Sequence, residues 1–233
     1  MARNFLRAFT LIELLVVIAV IAILATIAYP VYTGVQERAK ITKDMNNLRQ
    51  VGLATQTYMN DNDGVLPGSN TVSWMSQLHP KYVASWNVFL SPFDNPVSPR
   101  TTVEDDTNSA VSYGINPNIV GIASDKISKA TVFILFAPAQ DSAATVNFQG
   151  TAGTAAPGVS VLGISSNKAT SNPGGDAIGG TQNNRNRINA LFGDLHAESM
   201  SWTTFTNDAA TANDPDGQYR WNPVPTPTPP SGP

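Results

Sequence analysis

"RAFTLIELLVVIAVIAILATIAYP", residues 7–30, decides how the chain is read. From Phe9 to Tyr29 it carries one charge, Glu13, in 21 residues. A helix of that length spans about 30 Å, the thickness of a bilayer's hydrocarbon layer. Arg3 and Arg7 precede it with no acidic residue. A basic flank of this kind stays cytoplasmic and places the chain after Tyr29 on the far side. Glu13 is the anomaly. An ionised carboxylate near the middle of a bilayer costs on the order of 3 kcal/mol on insertion scales, so a simple anchor has no use for one. The residue needs a partner, or a position near enough to the helix end to reach the headgroup layer.

The 233 residues carry a net charge of -3 and a pI near 5.3, which is no nucleic-acid footprint. Only 13% are charged, while Gly and Pro number 17 each, a composition that favours a loop-rich, β-containing part over a helical bundle. The lack of cysteine excludes a disulfide framework and thiolate metal sites. There is no H-E-x-x-H, G-x-S-x-G, P-loop or G-x-G-x-x-G, so neither an active site nor a cofactor is expected.

Three fates of the N-terminal segment compete. A signal peptidase would want small residues near a cut, and Thr26 and Ala28 offer them, although the apolar run is long for a signal peptide. An uncleaved anchor leaves Glu13 unexplained. A cut before Phe9 follows from a short basic leader, the small Ala8, then Phe9 and "TLIE".

"AFTLIELLVVIAVIAILA", residues 8–25, resembles the signature of the type IV pilin and type II secretion pseudopilin family, with Ala8 where that family usually has glycine. The resemblance implies that a membrane prepilin peptidase cuts between Ala8 and Phe9 and methylates the new amine of Phe9. It makes Glu13 an assembly residue: the cationic amine, of the same chain or of a neighbouring subunit, is its counter-charge. Pairing in a low-dielectric helix bundle offsets the burial cost and sets the axial register between subunits.

Beyond the span, Pro30 and Gly34 predict a bend or local loosening, not an end, of the helix. Residues 35–59 place Val35, Ile41, Met45, Leu48, Val51 and Tyr58 mostly at three- and four-residue steps, one apolar stripe with Arg38, Lys40, Lys43 and Arg49 mostly off it. "NDNDGVLPG", residues 60–68, ends the helix; Asp61 and Asp63 lack the frame of a calcium loop and read as turn residues. "TVSWMSQLHPKYV" fits a short helix carrying Trp74, Met75 and Leu78 inward. Strands are expected in "AVSYGINP", "ATVFILFAPA", "RINALFG" and "LHAESMSW", with "TVFILF" central because it is apolar throughout. "YMNDNDGVLP", "SYGIN" and "LFGDLH" also resemble, in order, a pattern of G-type pseudopilins, whose last hairpin is of the "FADGH" type; here Gly193 precedes Asp194. A type I′ turn prefers Asp or Asn first.

Asp194, His196 and Glu198 alternate in "DLHAE" and are the best-placed metal ligands; the preferred reading is the solvated face of an edge hairpin, with no metal. Residues 149–184, rich in Gly, Ala, Ser, Thr and Asn, read as a surface excursion with a short strand at "VSVLGI". The chain thus divides into a leader (1–8), a transmembrane or filament-core helix (9–30), its amphipathic half (31–59), a globular β-rich domain (60–212) with a long loop at about 142–187, and a Pro-rich disordered tail (213–233).

The expected fold class is α+β and pilin-like, a long N-terminal helix packed on a small antiparallel sheet. The function implied is that of a structural subunit, not an enzyme. It sits in the inner membrane with its C-terminal domain periplasmic, then self-assembles into a helical filament, periplasmic or extracellular. Its partners are prepilin peptidase, an inner-membrane assembly platform, the lipid bilayer before assembly, and no specific nucleic acid. The alternative is a membrane-anchored periplasmic binding or hydrolytic domain.

Overall fold

The structure is a computed structural model that describes residues 10–68, 73–94, 111–119, 121–139, 148 and 179–224. Its first element is a 51-residue helix, α1 (Leu11–Asp61), matching the expected Phe9–Met59 to within two residues at each end. The chain divides into two compact units, Met1–Lys40 and Ile41–Pro233.

In the first unit α1 runs through Pro30. Every large apolar side chain from Leu11 to Val35 is at least 49% exposed. The two threonine hydroxyls of this stretch are satisfied by the helix itself: Thr26 Oγ1 donates to the Ile23 carbonyl at 2.7 Å and Thr33 Oγ1 to the Pro30 carbonyl at 3.0 Å. A hydroxyl bonded to its own helix needs no water to satisfy it.

In the second unit the rest of α1 meets a four-stranded antiparallel sheet in the order β1 (Tyr113–Ile115), β2 (Ile134–Pro138), β3 (Arg187–Phe192), β4 (Ala197–Ser201). All four strands fall where the sequence placed them. Tyr113 pairs with Pro138, Ile134 with Phe192 and Arg187 with Ser201, and a register shift between Ile134 and Phe136 marks a bulge. The bulge turns Leu135 and Phe136 to the same side, into the larger core with Leu48, Val51, Trp74, Phe89, Tyr113 and Leu191. Ile134 and Ala137 join Ile188, Ala190, Phe192, Trp202, Phe205 and Trp221 on the opposite face. β2 is therefore buried at every residue, which is why its sequence is continuously apolar. The helix lies very close to β3: a Cβ on Gly52 would meet Leu191 Cδ1 at 3.1 Å. A larger residue at 52 would need the Leu191 side chain to give by a few tenths of an ångström.

The short helix α2 (Trp74–Leu78) carries Trp74, Met75 and Leu78 inward and is capped by Ser73, whose Oγ accepts the Ser76 N–H. α3 (Trp202–Thr206) is capped likewise by Ser201 and closes the second core with Trp202 and Phe205.

The structure differs from the sequence reading at residues 213–224, which fold back onto the sheet instead of trailing from 213 as a disordered tail. Trp221 is 2% exposed and donates from Nε1 to the Phe205 carbonyl at 2.8 Å. Its own carbonyl accepts from Asn118 Nδ2 at 2.8 Å, and the Ile134 N–H donates to the Arg220 carbonyl at 2.9 Å. Buried Arg220 grips Asp214 through both terminal nitrogens, at 2.8 and 3.1 Å. The prolines that follow Asn222 made this stretch read as extended; the apolar payload of one tryptophan outweighs that local bias. Residues 225–233, and most of the 142–187 loop with "VSVLGI", lie outside the described residues.

Replacing Trp221 with alanine should destabilise the second unit by about 4 kcal/mol, the usual cost of a buried Trp→Ala change. Urea unfolding of the full chain in detergent, followed by tryptophan fluorescence, reads this directly because Trp74, Trp86, Trp202 and Trp221 all lie in that unit. An unchanged midpoint would mean that residues 213–224 do not pack.

Candidate functional site

The first turn of α1 is built by Thr10 and Glu13. Glu13 Oε2 accepts the Thr10 backbone N–H at 2.9 Å and the Thr10 hydroxyl at 2.7 Å, and the Glu13 N–H returns a bond to Thr10 Oγ1 at 3.3 Å. This is a reciprocal capping box, spelled in sequence as T-x-x-E. It satisfies donors that a helix start leaves open, which matters most in an apolar medium. Glu13 thus has a local partner in Thr10 besides any counter-charge, at a spacing legible in the sequence. Both Thr10 donors converge on one carboxylate oxygen, Oε2. The cleavage pair Ala8 and Phe9, and with it the methylation position, lies outside the described residues.

The other expected positions are dispersed. Pro30 and Gly34 lie within α1, and a Cβ on Gly34 would meet nothing within 4 Å. Asp194, His196 and Glu198 are exposed, while Leu195 and Ala197 pack against the larger core. Asp194 and His196 pair with each other, and His196 stacks on Phe192 at 4.4 Å. Among the described residues no three His, Asp or Glu gather as a metal site. The hairpin has a three-residue loop closed by the Leu195 N–H on the Phe192 carbonyl at 2.9 Å, with Leu195 itself left-handed at φ 67°. The positive φ therefore falls at Leu195, after Gly193 and Asp194, whereas a type I′ turn needs positive φ at both of its central residues. Asp61, at the exposed C-terminal end of α1, accepts from Lys81 at 2.7 Å and Tyr82 at 3.0 Å.

Apolar periodicity missed Asp44. It lies on α1 in the second unit, fully buried, and three elements converge on it. Its Oδ1 accepts Ser91 Oγ at 2.6 Å and Tyr113 Oη from β1 at 2.7 Å; its Oδ2 accepts Asn189 Nδ2 from β3 at 2.8 Å. Asn189 Oδ1 is in turn held by Gln182 Nε2 at 2.8 Å, and Asn47 Nδ2 donates to the Leu90 carbonyl at 2.9 Å. Burial raises the Asp44 carboxyl above its ordinary value, only partly opposed by its three donors, and burial together with the Asp44 charge pushes the Tyr113 phenol well above its own. The helix register on the sheet is fixed by this polar hub within an apolar core.

Two outcomes follow. Asp44→Ala strands three buried donors and should cost about 3 kcal/mol or more in urea unfolding of the full chain in detergent. The pH dependence has a definite sign. A carboxyl whose folded pKa is raised binds its proton more tightly in the folded state, so its contribution falls as pH rises from about 4 through the raised value. The unfolding midpoint should therefore drop over that range in the wild type, with the drop reduced in Asp44→Asn; parallel profiles would rule out the titration.

Residues 6–29 match the family model of the prokaryotic N-terminal methylation motif. The chain matches no curated protein and no solved structure. α1 is also long and apolar enough to cross a membrane, and together with the motif it suggests membrane anchoring. The long N-terminal helix followed by a small four-stranded antiparallel sheet is an α+β, pilin-like architecture. Residues 6–29 thus carry the type IV pilin and pseudopilin signature, and that motif points towards a structural role.

Proposed function

We propose that the chain is processed between Ala8 and Phe9, methylated at Phe9, held in the inner membrane by α1 and then polymerised through that helix into a filament. The observation that carries this reading is the matched motif running directly into an apolar helix surface exposed from Leu11 to Val35. Such a surface has two natural covers, lipid and sister helices. Passing from one to the other keeps it out of water, and packing together with polar pairing selects the polymer. Glu13 supplies the polar pairing: the ammonium created at Phe9 answers the carboxylate four residues on. Processing by a prepilin peptidase and docking on an inner-membrane assembly platform belong to the same reading, with the second unit facing the periplasm.

The intact mass and first residue of the protein purified from its native membrane test the processing step. A start at methylated Phe9 is expected. A start at Tyr29 would indicate a secreted domain, and one at Met1 or Ala2 a plain anchor. Glu13→Leu should leave the protein in the membrane but abolish filaments seen by electron microscopy; filaments at wild-type yield would remove Glu13 from assembly.

A further inference from the structure

The exposed apolar surface of α1 ends at Val35, and exposed Arg38 and Lys40 follow at once. The 25 residues from Leu11 to Val35 rise about 37 Å, more than the ~30 Å of bilayer hydrocarbon. Tyr29 and Tyr32, 71% and 61% exposed, flank the end of that layer, where amphipathic rings favour the membrane–water interface. Counted from Leu11, about 30 Å of hydrocarbon ends near Val31, so Arg38 and Lys40 leave the axis about 10 and 14 Å beyond that edge, past a headgroup layer of about 5–7 Å. Helix tilt and their long stems bring the charged ends back by several ångströms to the level of the headgroup phosphates.

At about 100° per residue these two cations leave the helix about 200° apart, on nearly opposite sides. A protein partner docking on one face would meet one of them. Lipid surrounds a helix and meets both. From Val31 to Lys43 the only acidic residue is Glu37, half-buried, while Lys43 adds a third exposed cation.

We propose that Arg38 and Lys40 form a cationic collar that binds the phosphates of anionic lipid headgroups where α1 leaves the bilayer. The proposal rests on the membrane-anchored reading of α1. Fixed charges at this depth would hold the helix at one height in the membrane, each basic side chain near an anionic surface adding to the attraction until salt screens it.

The test uses the full chain in vesicles of phosphatidylcholine with 30% phosphatidylglycerol, each lipid spin-labelled in turn. A motionally restricted lipid signal shows that the helix is inserted; its absence would defeat the anchoring reading itself. With insertion established, phosphatidylglycerol should be enriched at the protein by about fivefold or more, and the preference should fall several-fold in 0.5 M NaCl. In Arg38→Gln/Lys40→Gln/Lys43→Gln it should approach one while the restricted signal remains. Equal association of the two lipids with the wild type, or a preference that survives the triple substitution, overturns the collar. Residues 60–233 hold eight basic and fourteen acidic residues, so the rival occupant is a second copy. A triple variant that loses self-association in pure phosphatidylcholine, with no lipid preference in the wild type, would assign the cations to that contact instead.

Discussion

Sixteen large apolar side chains between Leu11 and Val35 face outward, and water is the one environment they cannot share. At roughly 25 cal/mol per Å² the exposed surface is worth far more than the marginal stability of an ordinary domain, so something always covers it. That constraint separates the two halves of α1. The first half is apolar all round and exposes its large side chains on every side. The second buries a single side against a sheet and leaves Arg49 and Leu53 in solvent.

The second unit solves a different problem, holding a helix on a sheet in one register. Apolar contacts such as Val51 against the core allow some sliding, since close packing tolerates swaps of similar volume. A carboxylate with donors from β1, β3 and Ser91 does not slide. Buried polar groups are costly unless all are satisfied, and here the donors come from positions 47, 69 and 145 residues away in sequence. The hub ties the helix to distant parts of the chain at once.

Legibility in the sequence tracked this difference in range. The motif around Phe9, the helix length and the four strands are local signals: a basic flank, an unbroken apolar run, turn residues between alternating segments. They led to the α+β, pilin-like class that the structure shows. The Thr10–Glu13 box is just as local, spelled T-x-x-E at the start of the apolar run. Asp44 had no local signal. Counting apolar residues alone put Val35 and Ile41 on the stripe, while the line that is buried runs Asp44, Asn47, Leu48, Val51, Thr55. Polar residues inside a core reveal themselves only through partners that the fold brings from elsewhere. Residues 213–224 failed for a similar reason, since nothing near Trp221 in sequence announces the pocket formed by Phe205 and the far face of the sheet.

The geometry at Glu13 bears on how a subunit can change surroundings. Thr10 engages Oε2 alone, so in the assembly proposed above, Oε1 would accept an incoming ammonium without a bond to Thr10 being surrendered. Transfer between phases then needs no moment of bare backbone at the tip of the rod. One side chain can keep its old grip while a newcomer takes the other oxygen, in the manner of a climber who moves a single hand at a time.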